Sequence, residues 1–435
     1  MNTQNMSIKH HHGAGGSSMA NIKNKSLIIS LTLAMALYGS IAQAQTELGL
    51  RDVLDNAMAQ NPVMAMSQAQ QDAANAAVTT ATAYINPEFE VAAGPTRSRS
   101  GSNEVSTKWD VGISQPLEFP GVRGARREMA ESNVRAAGVS RTLTGIELRT
   151  RVKSAFYDVL QRQAVLRLVE GDRNLLQQIR ERVKLRVDTG EAAKYELIKA
   201  DTEALAAERD YQAALVRISE AKAYLRGLVG PGMPMEFDVK GELPLADTLP
   251  TLQQLRQKID ESPQLAQIRA IREAAEARLR LEEKLRNPGL TLKGGFEQDP
   301  DYSTVRLGVA IPLPVWNQRQ GPIAEAAAGV RQVTAALSER ELSLQRDVDS
   351  AYQRYLIAQG QVNSFESGLL NQAESALKVA ESAYRFGERG ILDYLDAQRT
   401  YRAVRKDYLA ARYDYVNSML EIERLLGTEL LEVKS

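Results

Sequence analysis

Asn86-Pro87-Glu88-Phe89-Glu90-Val91-Ala92-Ala93 opens a stretch in which apolar and polar residues alternate, and Asn287-Pro288-Gly289-Leu290-Thr291-Leu292 opens another 201 positions later. Upstream, Asn61-Pro62 recurs as Ser262-Pro263 at the same spacing. Downstream, Gln115-Pro116-Leu117 meets Ile311-Pro312-Leu313, and Ser154-Ala155-Phe156 meets Ser350-Ala351-Tyr352, at an offset of 196. Tyr211, Ala213, Ala214 and Gly230 then meet Tyr408, Ala410, Ala411 and Gly427 at an offset of 197. Each half is one copy of one structural unit.

The alternating stretches read as strands. Glu88 to about Arg97 sets Phe89, Val91 and Ala93 on one face, and Val105 to Ile113 sets Val105, Thr107, Trp109, Val111 and Ile113 on one face, with a Ser/Arg/Gly loop at Ser98–Asn103 between them. The second half repeats this with Leu290, Leu292 and Phe296, a turn at Asp299-Pro300-Asp301, then Val305, Leu307, Val309 and Ile311. Period two over about ten residues is the pattern of a transmembrane β-strand, and equally of a half-buried soluble hairpin.

Around the hairpins the sequence is helical. Leu48 to about Asn61 and Pro62 to about Ile85 read as two helices, with Pro62 in a first turn. After each hairpin comes a long helical stretch, roughly Gly121–Asp188 and Asn317–Phe386, on the order of 100 Å at about 1.5 Å per residue. In the second, Ile323, Val330, Leu337, Leu344, Ala351, Ala358 and Phe365 recur every seven residues, with Ala327, Val348, Tyr355, Val362 and Leu369 among those between them. A sustained heptad means helices winding on neighbours. Turns at Gly190 and Gly387 lead into return helices with small residues on their seams, and the Pro- and Gly-rich segment 230–250 reads as a surface connector.

Length alone suggests about two or three domains, but duplication favours one body of two similar halves. Charge is balanced at a formal +0, which argues against a nucleic-acid binder held by phosphate contacts. Cysteine is absent, and the three histidines are His10, His11 and His12 in a tag-like leader. Residues 19–44 read as a signal peptide: Lys23 and Lys25, an apolar run Leu27–Leu37, then Ala42-Gln43-Ala44 for cleavage. A mature chain so processed has neither His nor Cys, which excludes sites built on those ligands. The expected organisation is leader 1–18, signal peptide 19–44, first repeat 45–229 with a hairpin at about 87–115, connector 230–250, second repeat 251–428 with a hairpin at about 288–314, and tail 429–435. The fold class is mainly α with a small β part.

Four strands cannot leave their edges open in lipid, where spanning sheets must close, and barrels start at about eight strands. Closure therefore requires at least two chains. With its duplication, order of elements, connector and tip turns, the chain resembles the TolC-type outer-membrane efflux factor family over essentially its whole mature length. Gln115-Pro116-Leu117-Glu118-Phe119-Pro120-Gly121-Val122-Arg123 is similar to the CzcC-like heavy-metal branch. As bare chemistry, Pro ends the strand there and Pro-Gly turns into the helix. The resemblance implies a homotrimer in the outer membrane whose twelve-stranded β-barrel continues into a periplasmic α-barrel. It further implies a periplasmic adaptor protein and an inner-membrane RND-type pump as partners, and no cofactor, nucleic acid or enzymatic role.

Tyr384-Arg385-Phe386-Gly387-Glu388-Arg389-Gly390-Ile391-Leu392-Asp393-Tyr394-Leu395-Asp396 resembles the family's periplasmic tip. The resemblance makes Asp393 and Asp396 an acidic ring at the entrance; spacing i, i+3 puts both on one helix face. As chemistry alone, they are acids in an N-terminal turn favoured by the helix dipole. The resemblance also makes Tyr384 and Arg389 gate links to Tyr195 and Glu196, although Arg389 is equally compatible with a solvated charge. It makes Thr189-Gly190-Glu191 and Phe386-Gly387-Glu388 the turns on which adaptors dock; by themselves they are helix C-cap glycines. No catalytic constellation, cofactor motif or metal cluster is read. The function implied is a passive exit duct for heavy-metal cations of the cobalt, zinc and cadmium type. Alternatives are a TolC-like duct for small organic compounds and a structural periplasmic coiled-coil protein.

Overall fold

The computed structural model of the chain describes residues 46–97, 105–244 and 249–431. The leader, the signal peptide, the loop expected at Ser98–Asn103 and the end of the tail lie outside the described residues. In chain order the elements are β1 (Thr46–Leu48), α1 (Leu50–Gln60), α2 (Pro62–Thr82), β2 (Glu88–Arg97), β3 (Val105–Leu117), α3 (Val122–Asp188) and α4 (Lys194–Val229). There follow β4 (Phe237–Val239), α5 (Leu252–Gln257), a 3₁₀ turn (Ile259–Glu261), α6 (Pro263–Lys284), β5 (Leu290–Gln298), β6 (Ser303–Ala310) and α7 (Gln320–Ser364). A π-helical turn (Phe365–Leu369), α8 (Leu370–Arg385) and α9 (Ile391–Leu426) complete it. By packing, residues 46–47 with 236–238 form a small unit, the ends of the β1–β4 pair, and 48–235 with 239–431 form the large one described below.

The two Asn/Ser-Pro pairs that mark the repeat are helix starts. Asn61 Oδ1 accepts from the Val63 amide at 2.7 Å ahead of α2, and Ser262 Oγ accepts from the Leu265 amide at 3.3 Å ahead of α6. Pro62 and Pro263 occupy the first turn, where no amide is needed. Pro322, three residues into α7, is tolerated for the same reason. The strand β3 runs through Pro116 to Leu117 rather than ending at the proline, since Pro116 still has Thr291 of β5 beside it. The turn falls later, where Gly121 takes φ +92° and the Val122 amide donates to the Phe119 carbonyl at 3.1 Å. The segment 230–250 is not merely a surface connector, because Met233, Phe237, Val239 and Leu243 are buried.

The sheet has the order β2-β3-β5-β6, all antiparallel. Register aligns Val91, Val111, Phe296 and Val305 across the four strands, and Phe89, Ile113, Gly294 and Leu307 one step along. This face is apolar and uncovered: Phe89 is 72% and Leu307 88% exposed. The other face carries Lys108, Asp110, Glu297 and Arg306, with Glu297 ion-paired to both Lys108 and Arg306. Its outer edges, on β2 and β6, pair with no other strand among the described residues. No described helix is long and apolar enough to cross a membrane.

The second long stretch is not one continuous helix. Leu337, Leu344, Val348, Ala351, Tyr355, Ala358 and Val362 are buried as the heptad requires, but the π turn at Phe365–Leu369 then inserts a residue. Beyond it the buried stripe advances by one position. Leu369 and Val379, which the unbroken heptad would bury, are 46% and 70% exposed, while Ala373, Leu377, Ala380 and Tyr384 turn inward. The change of repeat offset from 196 to 197 is this one residue. Glu366 on the turn accepts from the Tyr408 hydroxyl at 2.8 Å, and the Phe365 and Tyr408 rings lie 5.9 Å apart, which fastens the bulge to α9. The first-half helix α3 runs unbroken for 67 residues.

The halves meet at several seams: β3 pairs with β5, α3 packs along α6, and α3 also packs along α9. At that last seam Lys153 Nζ lies 3.0 Å from Glu423 Oε2, with side chains 2% and 5% exposed. The other carboxylate oxygen accepts from the Leu430 and Leu431 amides at 2.6 Å each. The Tyr157 phenol is pushed up to about 12, first by burial and then by the Glu423 charge. Removing one member of such a pair leaves an uncompensated buried charge, which costs about 3–5 kcal/mol. Lys153→Ala is therefore expected to lower stability by that order in denaturant unfolding, whereas Arg127→Ala, which breaks an exposed pair with Glu131, is expected to change it by about 0–1 kcal/mol.

Candidate functional site

The long helices of both repeats end at the same tip. They stop in identical caps: Gly190 (φ +80°) and Gly387 (φ +76°) take the left-handed conformation that glycine allows. The amides of Glu191 and Glu388 reach back to the carbonyls of Arg186 and Ala383 at 2.8 and 2.9 Å. Beneath the turns Leu176, Ile179 and Val183 of α3, Ala200 and Ala207 of α4, and Ile391, Tyr394 and Leu395 of α9 form one core, with Tyr384 and Leu377 of α8 packed against it. The one-position shift at the π turn is what points Tyr384 inward.

Tyr384 is the centre of the tip. Its ring stacks on Tyr394, centroids 5.8 Å apart with an interplanar angle of 9°. Arg186, from the last turn of α3, donates from Nη1 to the Tyr384 hydroxyl at 3.2 Å and holds its guanidinium 5.6 Å from the ring centroid. The hydrogen bond to Tyr384 is the main cause that raises the Arg186 pKa, and burial raises that of Tyr394. A groove of about 570 Å³, lined in part by Arg182, Arg186, Glu191, Glu381 and Tyr384, opens beside them.

The carboxylates named from the sequence sit on the first turns of α9 and are each already paired. Arg389 Nη1 lies 3.3 Å from Asp393 Oδ2, and Asp396 is ion-paired to Arg399. All four side chains are more than half exposed. Neither Arg389 nor Tyr384 uses Tyr195 or Glu196 in these contacts; Tyr195 lies under the Lys199 ammonium instead, 5.7 Å from ring centroid to Nζ. Phe386, at the second turn, is 78% exposed. Sequence reasoning missed Arg186 and Arg399. The i, i+3 spacing of Asp396 and Arg399 was a usable signal; Arg186 had none, since only the fold brings it to Tyr384, 198 positions away.

Residues 53–231 and 254–428 match the family described as outer membrane efflux protein. The chain belongs to that family. This efflux protein is 27% identical over 392 residues to the cobalt-zinc-cadmium resistance protein CzcC of Cupriavidus metallidurans, covering 88% of this chain and 91% of CzcC. It is 24% identical to the outer membrane protein TolC of Vibrio cholerae, covering 92% and 95% of the two chains. Among solved structures, that of CusC superposes with a TM-score of 0.76 at 18% identity, covering 88% of this chain and 92% of CusC. The Vibrio cholerae outer membrane protein VceC gives 0.70, also at 18% identity, covering 88% and 97%. The protein is thus an outer-membrane efflux component with long helices on the periplasmic side.

Arg186→Ala is expected to loosen the tip locally. With about 1 kcal/mol for a partly exposed hydrogen bond and cation–π contact, hydrogen exchange at the Phe386–Gly390 amides should speed about fivefold while the global unfolding midpoint moves little.

Proposed function

We propose that this chain is the passive exit duct of a three-part efflux system, assembled as a homotrimer and carrying heavy-metal cations delivered by an RND-type inner-membrane pump through a periplasmic adaptor. The four-stranded sheet carries the reading: one uncovered apolar face, one charged face and two open edges. Three copies supply twelve strands, enough to close a barrel with lipid outside and polar residues inside. Likeness to CzcC, whose name specifies cobalt, zinc and cadmium resistance, supports the cargo class.

Cargo selection belongs to the partners. Among the described residues no group of three or more His, Cys, Asp or Glu side chains could hold a metal ion, and His and Cys are absent from 46–435. A duct that bound its cargo tightly would also retain it. The tip turns Thr189-Gly190-Glu191 and Phe386-Gly387-Glu388, with exposed Phe386, are the surface on which the adaptor docks. Tyr384 locks the two halves of the tip through Arg186, with Arg389 and Tyr195 exposed and Glu196 half-buried. Deleting the gene should sensitise cells to cobalt, zinc or cadmium and raise their metal content. Sensitisation to organic compounds alone would instead assign a drug duct.

Asp393 and Asp396 concentrate cations at the entrance, and their arginine partners temper that effect. Multivalent cations should block conductance from the periplasmic side in planar bilayers. The Asp393→Ala, Asp396→Ala double variant should relieve the block, and Arg399→Ala, which frees Asp396, should strengthen it. An unchanged block in the double variant would remove the ring from the mechanism.

A further inference from the structure

Among the contacts between its halves, the chain makes one helix seam whose duplicate it leaves open. Inside the chain, α3 of the first half packs along α9 of the second. Three side-chain contacts mark this seam. Ser154 Oγ donates to Asn417 Oδ1 at 2.8 Å, the same hydroxyl lies 3.5 Å from that of Tyr413, and Lys153 Nζ meets Glu423 Oε2 at 3.0 Å.

The repeat offsets carry these positions onto α7 and α4. Lys153 and Ser154 become Asp349 and Ser350 of α7 at offset 196; Tyr413, Asn417, Leu420 and Glu423 become Val216, Glu220, Ala223 and Arg226 of α4 at offset 197. Spacings of three and four put the last four on one face of α4. That face is uncovered: Leu420 is 1% exposed, while its counterpart Ala223 is exposed and Val216 is 69% exposed. Ser350, the counterpart of Ser154, is also exposed.

Between the two seams the charges are reversed. The internal seam has its cation on the long helix and its acid on the return helix, Lys153 with Glu423; the open faces have the acid on the long helix and the cation on the return helix, Asp349 and Arg226. The reversal extends to what each return-helix group holds behind it. Glu423 accepts backbone amides of Leu430 and Leu431, whereas Arg226 donates to the Met235 carbonyl at 3.1 Å. Asp349 also accepts two hydrogen bonds from Arg256, at 2.9 and 2.7 Å. A carboxylate offers about four acceptor sites, so a second guanidinium still finds room.

We propose that the open faces of α7 and α4 join successive copies of this chain in a seam that repeats the internal α3–α9 seam, with Asp349 of one copy facing Arg226 of the next. With Lys153 and Glu423 closed on each other inside each chain, the charges an incoming copy meets at these positions are Asp349 and Arg226, and their opposite signs favour a head-to-tail closure. A copy docked with like faces together would set Asp349 against Asp349 or Arg226 against Arg226, like-charged pairs that oppose the wrong closure. The inference rests on the trimeric reading above and specifies which residues build it.

Because the chain has no cysteine, engineered cysteines report contacts without background. In the full chain in outer-membrane vesicles, the Ser350→Cys, Glu220→Cys double variant treated with a short bismaleimide should give dimer and trimer bands on a denaturing gel, and either single variant should give none. In detergent, Arg226→Asp should reduce the trimer fraction by setting two acids face to face. Adding Asp349→Asn, which keeps an oxygen for Arg256, should restore it. An intact trimer in which the cysteine pair links only within one chain, or not at all, overturns the seam and leaves the trimeric duct standing, as does an Arg226→Asp trimer as stable as the parent. A parent chain that is monomeric in native mass measurement overturns the duct reading and the seam together.

Discussion

A strand edge in hydrocarbon has no water to satisfy its backbone groups, and every larger feature of this protein answers to that constraint. The sheet offers two such edges, on β2 and β6, and one apolar face with nothing over it. In water that face would be an aggregation hazard; in a bilayer it is the ordinary exterior of a barrel wall. The charged opposite face, where Glu297 gathers Lys108 and Arg306, then belongs to an aqueous interior. A chain that contributes only part of a closed wall must also present complementary helical surfaces below the membrane. The uncovered stripe on α4 is such a surface.

Duplication supplies the two halves, and a small departure of one from the other shapes the tip. One extra residue in the second half is absorbed as a π turn, which rotates everything beyond it and turns Tyr384 into the tip core. The contact between Tyr384 and Arg186 then links the hairpin turns of the two repeats. A regular heptad would have placed Val379 inward instead. Local geometry at Phe365–Leu369 thus decides what happens at Phe386, some 20 residues away by chain number.

At the tip the electrostatics are milder than two bare acids suggest. Asp393 and Asp396 each share their charge with an arginine on or beside the same helix, in exposed pairs that contribute little to stability. The cation attraction proposed for this site would be a balance between carboxylates and guanidiniums rather than a fixed negative ring. This suits an exit path, where weak, multiple encounters permit passage and tight binding prevents it.

The sequence by itself determined the period-two strands, the long helices, the Asn/Ser-Pro helix starts, the glycine-capped tips and the duplication, because each is written in local spacing. Hairpin, cap and heptad require only neighbours within a few positions. It also determined the apolar face of the sheet, since alternation fixes which residues share a side. What only the tertiary structure decided were pairings across long separations, Lys153 with Glu423 and Arg186 with Tyr384, and the burial of Phe237 and Leu243 in a segment whose prolines and glycines advertise a surface turn. The π turn was legible only as an unexplained change of offset, because nothing in a linear repeat shows which turn of a helix absorbs an added residue. The partners of Arg389 and Asp396 fell between the two cases: their spacing permits the pairs, and the competition among neighbouring side chains chose them.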